Sequence, residues 1–230
     1  KFIVSNIKNL SNFFNLIITE IKLSLRKKNE GLISVLFFIF SILILPLIFQ
    51  GNEEIIKKFF VGIIWFLTLI TIIFSIEKLF ENDYTDGTLD QIYISGLPLE
   101  TIFLSKSLST WIITCLPIII ISPFLGLLFD LDTNKTINIF VSLLIGTPIL
   151  TLIGTVTSAL TLGFNKGSSI ISLITLPLYI PVLIFGIGAA NSEIILNSLS
   201  QEFKILIGYL LIALAIAPWI GGFALKIKYR

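Results

Sequence analysis

The stretch Ile33–Leu45, ISVLFFIFSILIL, lies within an uncharged apolar run, Leu32–Phe49. A membrane-spanning strand alternates polar and apolar side chains over about ten positions, and this stretch does not alternate. A backbone segment inside lipid must satisfy its own hydrogen bonds, which a helix does within one segment. The stretch therefore predicts a membrane-spanning α-helix.

Five further runs share this character, because each is apolar and lacks Asp, Glu, Lys and Arg. They are Phe59–Ile76, Ser107–Phe129, Ile137–Phe164, Ser168–Ala190 and Ile205–Leu225. A helix needs about 20 apolar residues to cross a hydrocarbon core of roughly 30 Å. Charged residues make up only 13% of the chain, against about a quarter in soluble domains. The sequence predicts an all-α integral membrane protein with six transmembrane helices in one domain, residues 1–230.

The segment before the first run, residues 1–30, has a different pattern. Its apolar residues recur at steps of three and four, with basic and amide side chains between them: Ile3, Ile7, Leu10, Phe14, Ile17, Ile21 and Leu25. This spacing predicts an amphipathic helix that lies in the membrane interface. The alternative is a helix packed on a partner protein. The basic cluster Arg26–Lys28, which leads into the first run, favours the interfacial position.

Basic residues are distributed unevenly between the two sides that six crossings define. With the N-terminus inside, twelve of the 16 fall on the inner side: Lys1, Lys8, Lys22, Arg26, Lys27, Lys28, Lys78, Lys106, Lys166, Lys226, Lys228 and Arg230. The other four are Lys57, Lys58, Lys135 and Lys204. Because loops rich in Lys and Arg stay in the cytoplasm, we expect both termini and the 77–106 loop to be cytoplasmic.

The longest charged interval is this loop, residues 77–106, EKLFENDYTDGTLDQIYISGLPLETIFLSK, which holds six of the chain's 14 acids. Asp86-Gly87 predicts a turn, and Thr88 with Gln91 resembles a capping box that starts a short helix, Leu89–Ile94. We expect Leu89, Ile92 and Tyr93 to be exposed on this helix. Such a surface fits a groove on a partner protein, and a helix lying on the bilayer is the alternative.

Several chemistries have no candidate residues. The chain has no histidine and no methionine, and its single cysteine, Cys115, lies inside an apolar run, where we expect it to serve packing. None of the six apolar runs contains an acidic or basic residue, the kind of side chain that marks proton or ion paths in membranes. Gly163–Ser168 lacks the spacing of a phosphate-binding P-loop. We expect no catalytic, metal or cofactor site, and no enzymatic activity of its own.

Four residues in the apolar runs are candidate helix hinges. Gly146 with Pro148 is expected to break or tilt the fourth span, and Pro177 with Pro181 to bend the fifth, since proline removes a backbone hydrogen bond. A functional hinge and an irregularity of packing remain equally open for each.

A set of motifs, in order along nearly the whole chain, resembles permeases of type-2 ATP-binding-cassette (ABC) exporters, and within them the haem exporter protein B (CcmB) family. These motifs are Gly62–Trp65, Leu79–Asp83, Asp86–Gln91, Leu97–Leu99 with Lys106, Trp111, Leu116-Pro117, Ser122-Pro123, Leu143–Pro148 and Leu176–Gly186.

The resemblance implies a permease subunit that docks on a cytoplasmic ABC ATPase, with haem-handling membrane proteins and a periplasmic haem chaperone as further partners. It implies a membrane hetero-oligomer, with a dimer of this chain as one form, in the bacterial inner membrane or, alternatively, the mitochondrial inner membrane. The residues assigned to ATPase coupling are Asp83, Asp86, Gly87, Thr88, Leu89, Asp90, Ile92 and Tyr93. A scaffold that transmits ATPase motion without transport is an alternative, as is a permease for another hydrophobic substrate.

Haem would be a transported or handled ligand under this resemblance, not a tightly bound cofactor. Proteins hold haem iron mainly with His, Met, Cys or Tyr, and this chain has no His, no Met and a single Cys. We therefore expect any passing haem to meet aromatic walls, with Trp65, Trp111, Tyr179 and Trp219 as candidates, and iron ligands to come from a partner.

Overall fold

The computed structural model describes residues 13–22, 30–77, 79–94, 96–162, 167–192 and 200–228, and every regular element within them is helical. Helix α1 covers 13–22. It is followed by α2 (Glu30–Leu43), α3 (Leu45–Ile48), α4 (Glu53–Ile76), α5 (Glu81–Thr85), α6 (Thr88–Ile94), α7 (Leu99–Leu128), α8 (Thr133–Leu160), α9 (Gly167–Asn191) and α10 (Gln201–Lys228).

The expected integral membrane fold is confirmed by the lengths of these helices. In the described part of the chain, five helices are long and apolar enough to cross a membrane, namely α4, α7, α8, α9 and α10. The first apolar run forms the shorter pair α2 and α3, which meet just before Pro46. Proline lacks the N–H that a continuous helix uses, so the junction falls there.

The third span starts earlier than the expected boundary at Ser107. Helix α7 begins at Leu99, after Pro98, and has 30 residues; at roughly 1.5 Å per residue it is about 45 Å long. That exceeds a hydrocarbon core of about 30 Å. Residues 99–106, which were expected to belong to the loop, form the first two turns of α7. The loop therefore ends at Pro98.

Helix α8 lies at the centre of the bundle and contacts α4, α7, α9 and α10. Along its buried face the hydroxyls of Thr147, Thr151 and Thr155 each donate to the carbonyl oxygen four residues earlier, at 2.7–3.0 Å. These bonds satisfy polar groups that would otherwise be costly away from water. Small side chains along this face let the neighbouring helices approach closely.

The long helices α7 to α10 run without interruption through their prolines. Helix α8 is continuous through Gly146 and Pro148, and α9 is continuous through Pro177 and Pro181. Of the two effects expected in the fourth span, the break does not occur, because the rest of the hydrogen-bond ladder supports the helix on both sides of the proline. The tilt at Pro148 and the bend at Pro177 and Pro181 stay predictions.

Contacts between elements define two ends of the bundle. At one end, the Lys57 ammonium donates to an Asp130 carboxylate oxygen at 2.7 Å, which holds the pKa of Asp130 below its ordinary value. At the other end, Glu20 of α1 pairs with Lys106 of α7, and Leu225 of α10 joins the cluster below α5 and α6. Helices α5 and α6 thus lie at the same end as α1 and the end of α10.

Candidate functional site

The segment between α4 and α7 is folded onto the bundle. Phe80, just before α5, and Leu89, on α6, are 0% and 1% exposed. They pack in one apolar cluster with Ile102 and Phe103 of α7 and with residues of α8 and α10. The loop is therefore a small structured cap whose underside is fixed to the ends of three long helices.

Gly221 allows α10 to pack closely against Phe103, directly below the cap. A Cβ atom added at Gly221 would lie 2.1 Å from Cδ2 of Phe103, a distance at which the ring must move. Phe103 in turn belongs to the cluster that holds Leu89. The absence of a side chain at Gly221 thus sets how closely α10 approaches the floor of the cap.

The outer face of the cap is acidic and apolar. Asp90 and Ile94 lie one turn apart on α6, so they share a face. Ile94 is 82% exposed and Tyr93 41%, and Asp86, in the turn before α6, is also exposed. The sequence has no Lys or Arg between Leu79 and Ser105. This face fits a partner surface that is basic around an apolar depression.

The expected exposure of Leu89 is wrong, since this side chain faces the protein's own core. Ile92, three residues further on, is partly buried against the same cluster. An apolar pair at this spacing forms the buried stripe of an amphipathic helix, which is why these residues point inwards. Sequence reasoning missed Ile94, which lies on the opposite face. The remaining members of the predicted coupling set divide between the cap's interior and its surface.

Asp83 belongs to the interior, because it forms an ion pair with the buried Lys106. Gly87 provides the turn between α5 and α6 with a φ of +71°, a conformation that glycine adopts without strain. Thr88 is the first residue of α6. Neither Lys106 nor its second partner, Glu20, was among the predicted site residues. The signal for Lys106 was its position directly before an uncharged run.

Deep in the bundle, Trp65 of α4 is wedged between two glycines. A Cβ atom at Gly146 of α8 would lie 2.3 Å from the Trp65 ring, and one at Gly186 of α9 would lie 2.4 Å from it. Trp65 is 0% exposed, so it packs three helices together. Gly146, expected to act as a hinge, makes room for this ring.

A second tryptophan, Trp111, lines a cavity. Trp111 of α7 donates its indole N–H to the Thr147 hydroxyl of α8 at 2.9 Å. It lines a partly open cavity of about 220 Å³ with apolar residues of four helices. The lining residues are Phe13, Leu104, Ser107, Leu108, Trp111, Pro148, Thr151, Leu152 and Leu214.

The four aromatic residues proposed as a wall are not one surface. Tyr179 of α9 is buried like Trp65, and a Cβ at Gly154 would lie 2.5 Å from its hydroxyl. Trp219 of α10 is 74% exposed. Of the four, Trp111 alone lines the cavity just described. Cys115 is buried beside the Thr151 hydroxyl, where it packs between α7 and α8.

This architecture, long apolar helices with a structured cap at one end, defines a multi-pass α-helical membrane protein. Residues 11–228 match the family model described as CcmB protein. The chain is 33% identical to heme exporter protein B of Haemophilus influenzae over 216 residues, which cover 94% of this chain and 98% of the relative. It is 34% identical to heme exporter protein B of Bradyrhizobium diazoefficiens over 212 residues, with 92% and 96% coverage.

The protein of the same name from Escherichia coli K12 is 30% identical over 218 residues, covering 95% of this chain and 99% of the relative. The family match and these alignments span nearly the whole chain, including the cap and every long helix. The chain therefore belongs to the CcmB protein family.

Proposed function

We propose that this chain is the membrane permease subunit of an ABC transporter for haem export in c-type cytochrome biogenesis. Family membership and the name of the relatives, heme exporter protein B, support the transport role. ATP would be hydrolysed by a separate ATPase subunit, since the sequence carries no P-loop. Haem-handling membrane proteins and a periplasmic haem chaperone would complete the assembly.

The single observation that carries the ATPase part of this proposal is the outer face of α6. This face is formed by Asp90, Tyr93 and Ile94 of α6 with Asp86 of the preceding turn, and it combines acidic side chains with an isoleucine that is 82% exposed. The underside of α6 is fixed to α7 and α10 by Leu89. A force applied to this face would therefore reach the spans directly. Dimerisation of the chain would bring two such faces to one ATPase pair.

The cavity bears on how haem would be handled. Its volume of about 220 Å³ lies below the roughly 300–1,000 Å³ of pockets that enclose a drug-sized ligand. This cavity is too small to enclose a ligand as large as haem, so haem would contact Trp111 at a surface shared with another subunit. Axial iron ligands would come from the partner, and haem would not be a tightly bound cofactor of this chain.

The side of the membrane on which the cap lies is part of the proposal. Twelve of the 16 basic residues fall on the side of the cap and termini, which supports a cytoplasmic cap under the positive-inside rule. The bacterial inner membrane is the proposed location, because the relatives named above are bacterial proteins.

Exchanging Ile94 for Asp tests the docking face. We expect Ile94→Asp to reduce co-purification of the co-expressed ABC ATPase at least tenfold, because it places a charge where the partner's apolar depression would be. Asp90→Ala is expected to weaken it only slightly, since an exposed ion pair contributes about 0–1 kcal/mol. Quantitative pull-down from detergent-solubilised membranes measures both.

The matched control for this experiment is Ile55→Asp, the same change at an exposed residue in the first turn of α4, at the end of the bundle away from the cap. If that variant inserts, it should retain the ATPase. A variant of α10 outside any apolar span, Lys204→Gln, provides a second control. Full retention of the ATPase by Ile94→Asp would contradict the assignment of this face.

The small cavity also favours a second candidate function, a scaffold that transmits ATPase motion to partner proteins without passing haem itself. The two functions differ in vesicles that contain only this chain and its ATPase. A permease should show ATPase activity that rises with added haem, whereas a scaffold should require the partner proteins for that response.

A further inference from the structure

Lys106 of α7 carries a buried charge that is paired with carboxylates of two other helices. Its side chain is 4% exposed and pairs with Glu20 of α1, at 3.2 Å, and with Asp83 of α5. The two carboxylates are themselves only 18% and 19% exposed. The ammonium also lies 5.9 Å from the centre of the Phe80 ring, within the range of a cation–π interaction.

This triad joins three segments that are far apart in sequence. Removing one member of a buried ion pair leaves an uncompensated charge, which is far less favourable than the intact arrangement. Because of this penalty, a displacement of α5 that carries Asp83 away must be answered by movement of Lys106 or of Glu20. The triad therefore links the position of the cap to the position of α1.

The same helix α1 forms one wall of the cavity. Phe13, seven residues or about two helical turns before Glu20, lines it. The lining also includes Leu104 and Ser107, which flank Lys106 in the sequence of α7, and Trp111 further along that helix. The triad thus lies where the wall formed by α1 is fastened to the wall formed by α7.

We propose that Lys106 is a positioning residue that transmits movement of the cap to α1, and so changes the width of the cavity beside Trp111. Under this inference, which rests on the proposed function, the docked ATPase moves α5 in its nucleotide cycle. Lys106 and Glu20 then move with Asp83, so that the charges stay paired, and Glu20 carries α1 with it. Lys106 contacts neither the ATPase nor the transported molecule.

The test measures the distance between α1 and α7 in the complex with the ATPase. Spin labels are placed on cysteines introduced at Phe14 and Phe124, which are 57% and 67% exposed, in a Cys115→Ser background. Pulsed electron resonance in nanodiscs then compares the nucleotide-free complex with the complex bound to a non-hydrolysable ATP analogue. We expect the analogue to shift the distance in the otherwise unchanged chain.

Lys106→Gln should lose this shift while the ATPase still co-purifies. Lys106→Arg should restore it, because a guanidinium can bind both carboxylates. Lys204→Gln, which removes an exposed charge on α10, should leave it unchanged. If Lys106→Gln alone fails to insert, the neutral triple variant Glu20→Gln, Asp83→Asn, Lys106→Gln replaces it, since it leaves no unpaired charge.

The outcomes separate this inference from the proposed function. If the unchanged chain does not retain the ATPase, the proposed function is wrong, and the inference falls with it. If the ATPase is retained but the distance shows no response to nucleotide, or responds equally in the neutral variants, Lys106 does not transmit the movement. A shift that is lost in Lys106→Gln and regained in Lys106→Arg supports the inference.

Discussion

Leu89→Asp is expected to release the cap from the bundle. The leucine is 1% exposed in a cluster with Phe80, Ile102 and Phe103, so the change removes apolar packing and buries an unpaired charge. We expect a loss of at least about 3 kcal/mol of local stability. Hydrogen–deuterium exchange of the backbone amides of Thr88–Ile94 measures it. Exchange should be faster in Leu89→Asp than in the unchanged chain, because the free energy of local opening falls.

Ile94→Asp is the matched control, since it makes the same change on the same helix at a residue that is 82% exposed. Its α6 amides should be protected from exchange as well as those of the unchanged chain are, although the variant should lose the ATPase. Equal protection of Leu89→Asp and Ile94→Asp would show that α6 does not pack as described. The pair therefore distinguishes folding of the cap from docking onto it.

Gly146→Ala is expected to disrupt the packing of the spans that meet at Trp65. The added Cβ would lie 2.3 Å from the ring, and the ring is also held against Gly186, so it has no free direction in which to move. Overpacking of this kind costs about 1–3 kcal/mol. Thermal unfolding in detergent, followed by tryptophan fluorescence, should show a lower midpoint.

Gly62→Ala is the control for this change, because it adds the same methyl group to a glycine of α4 with no atom within 4 Å of the added carbon. Its midpoint should match or exceed that of the unchanged protein, since alanine favours helices over glycine. Equal midpoints for Gly146→Ala and the unchanged protein would contradict the wedge of Trp65 between α8 and α9.

The membrane fold could be predicted from the sequence because each span depends on a local property, a long uncharged run. The boundaries could not all be predicted in this way. Leu99–Lys106 is helical because Ile102 and Phe103 find an apolar cluster at the end of α10, and that neighbour is more than a hundred residues away in sequence. A local pattern of charges predicts a loop there, and the tertiary contact extends the helix.

In the candidate site, too, local features could be predicted from the sequence and tertiary contacts could not. The turn at Gly87 and the short helix after it follow from local residue types, and both were predicted. The direction in which Leu89 points depends on what lies below α6, and the sequence alone suggested a partner where the bundle itself is present. Trp65 was singled out as an aromatic residue, but its role depends on glycines of two other helices.

The central claim is that the outer face of α6 lies in the cytoplasm, where an ATPase can reach it. Single cysteines replace Asp86, in the exposed turn before α6, and Asn134, at the exposed start of α8, in a Cys115→Ser background. A membrane-impermeant thiol reagent is then added to intact spheroplasts. We expect Asn134→Cys to react at once and Asp86→Cys to react only after the membrane is opened. Reaction of Asp86→Cys in intact spheroplasts would contradict the orientation and the docking of an ATPase on this face.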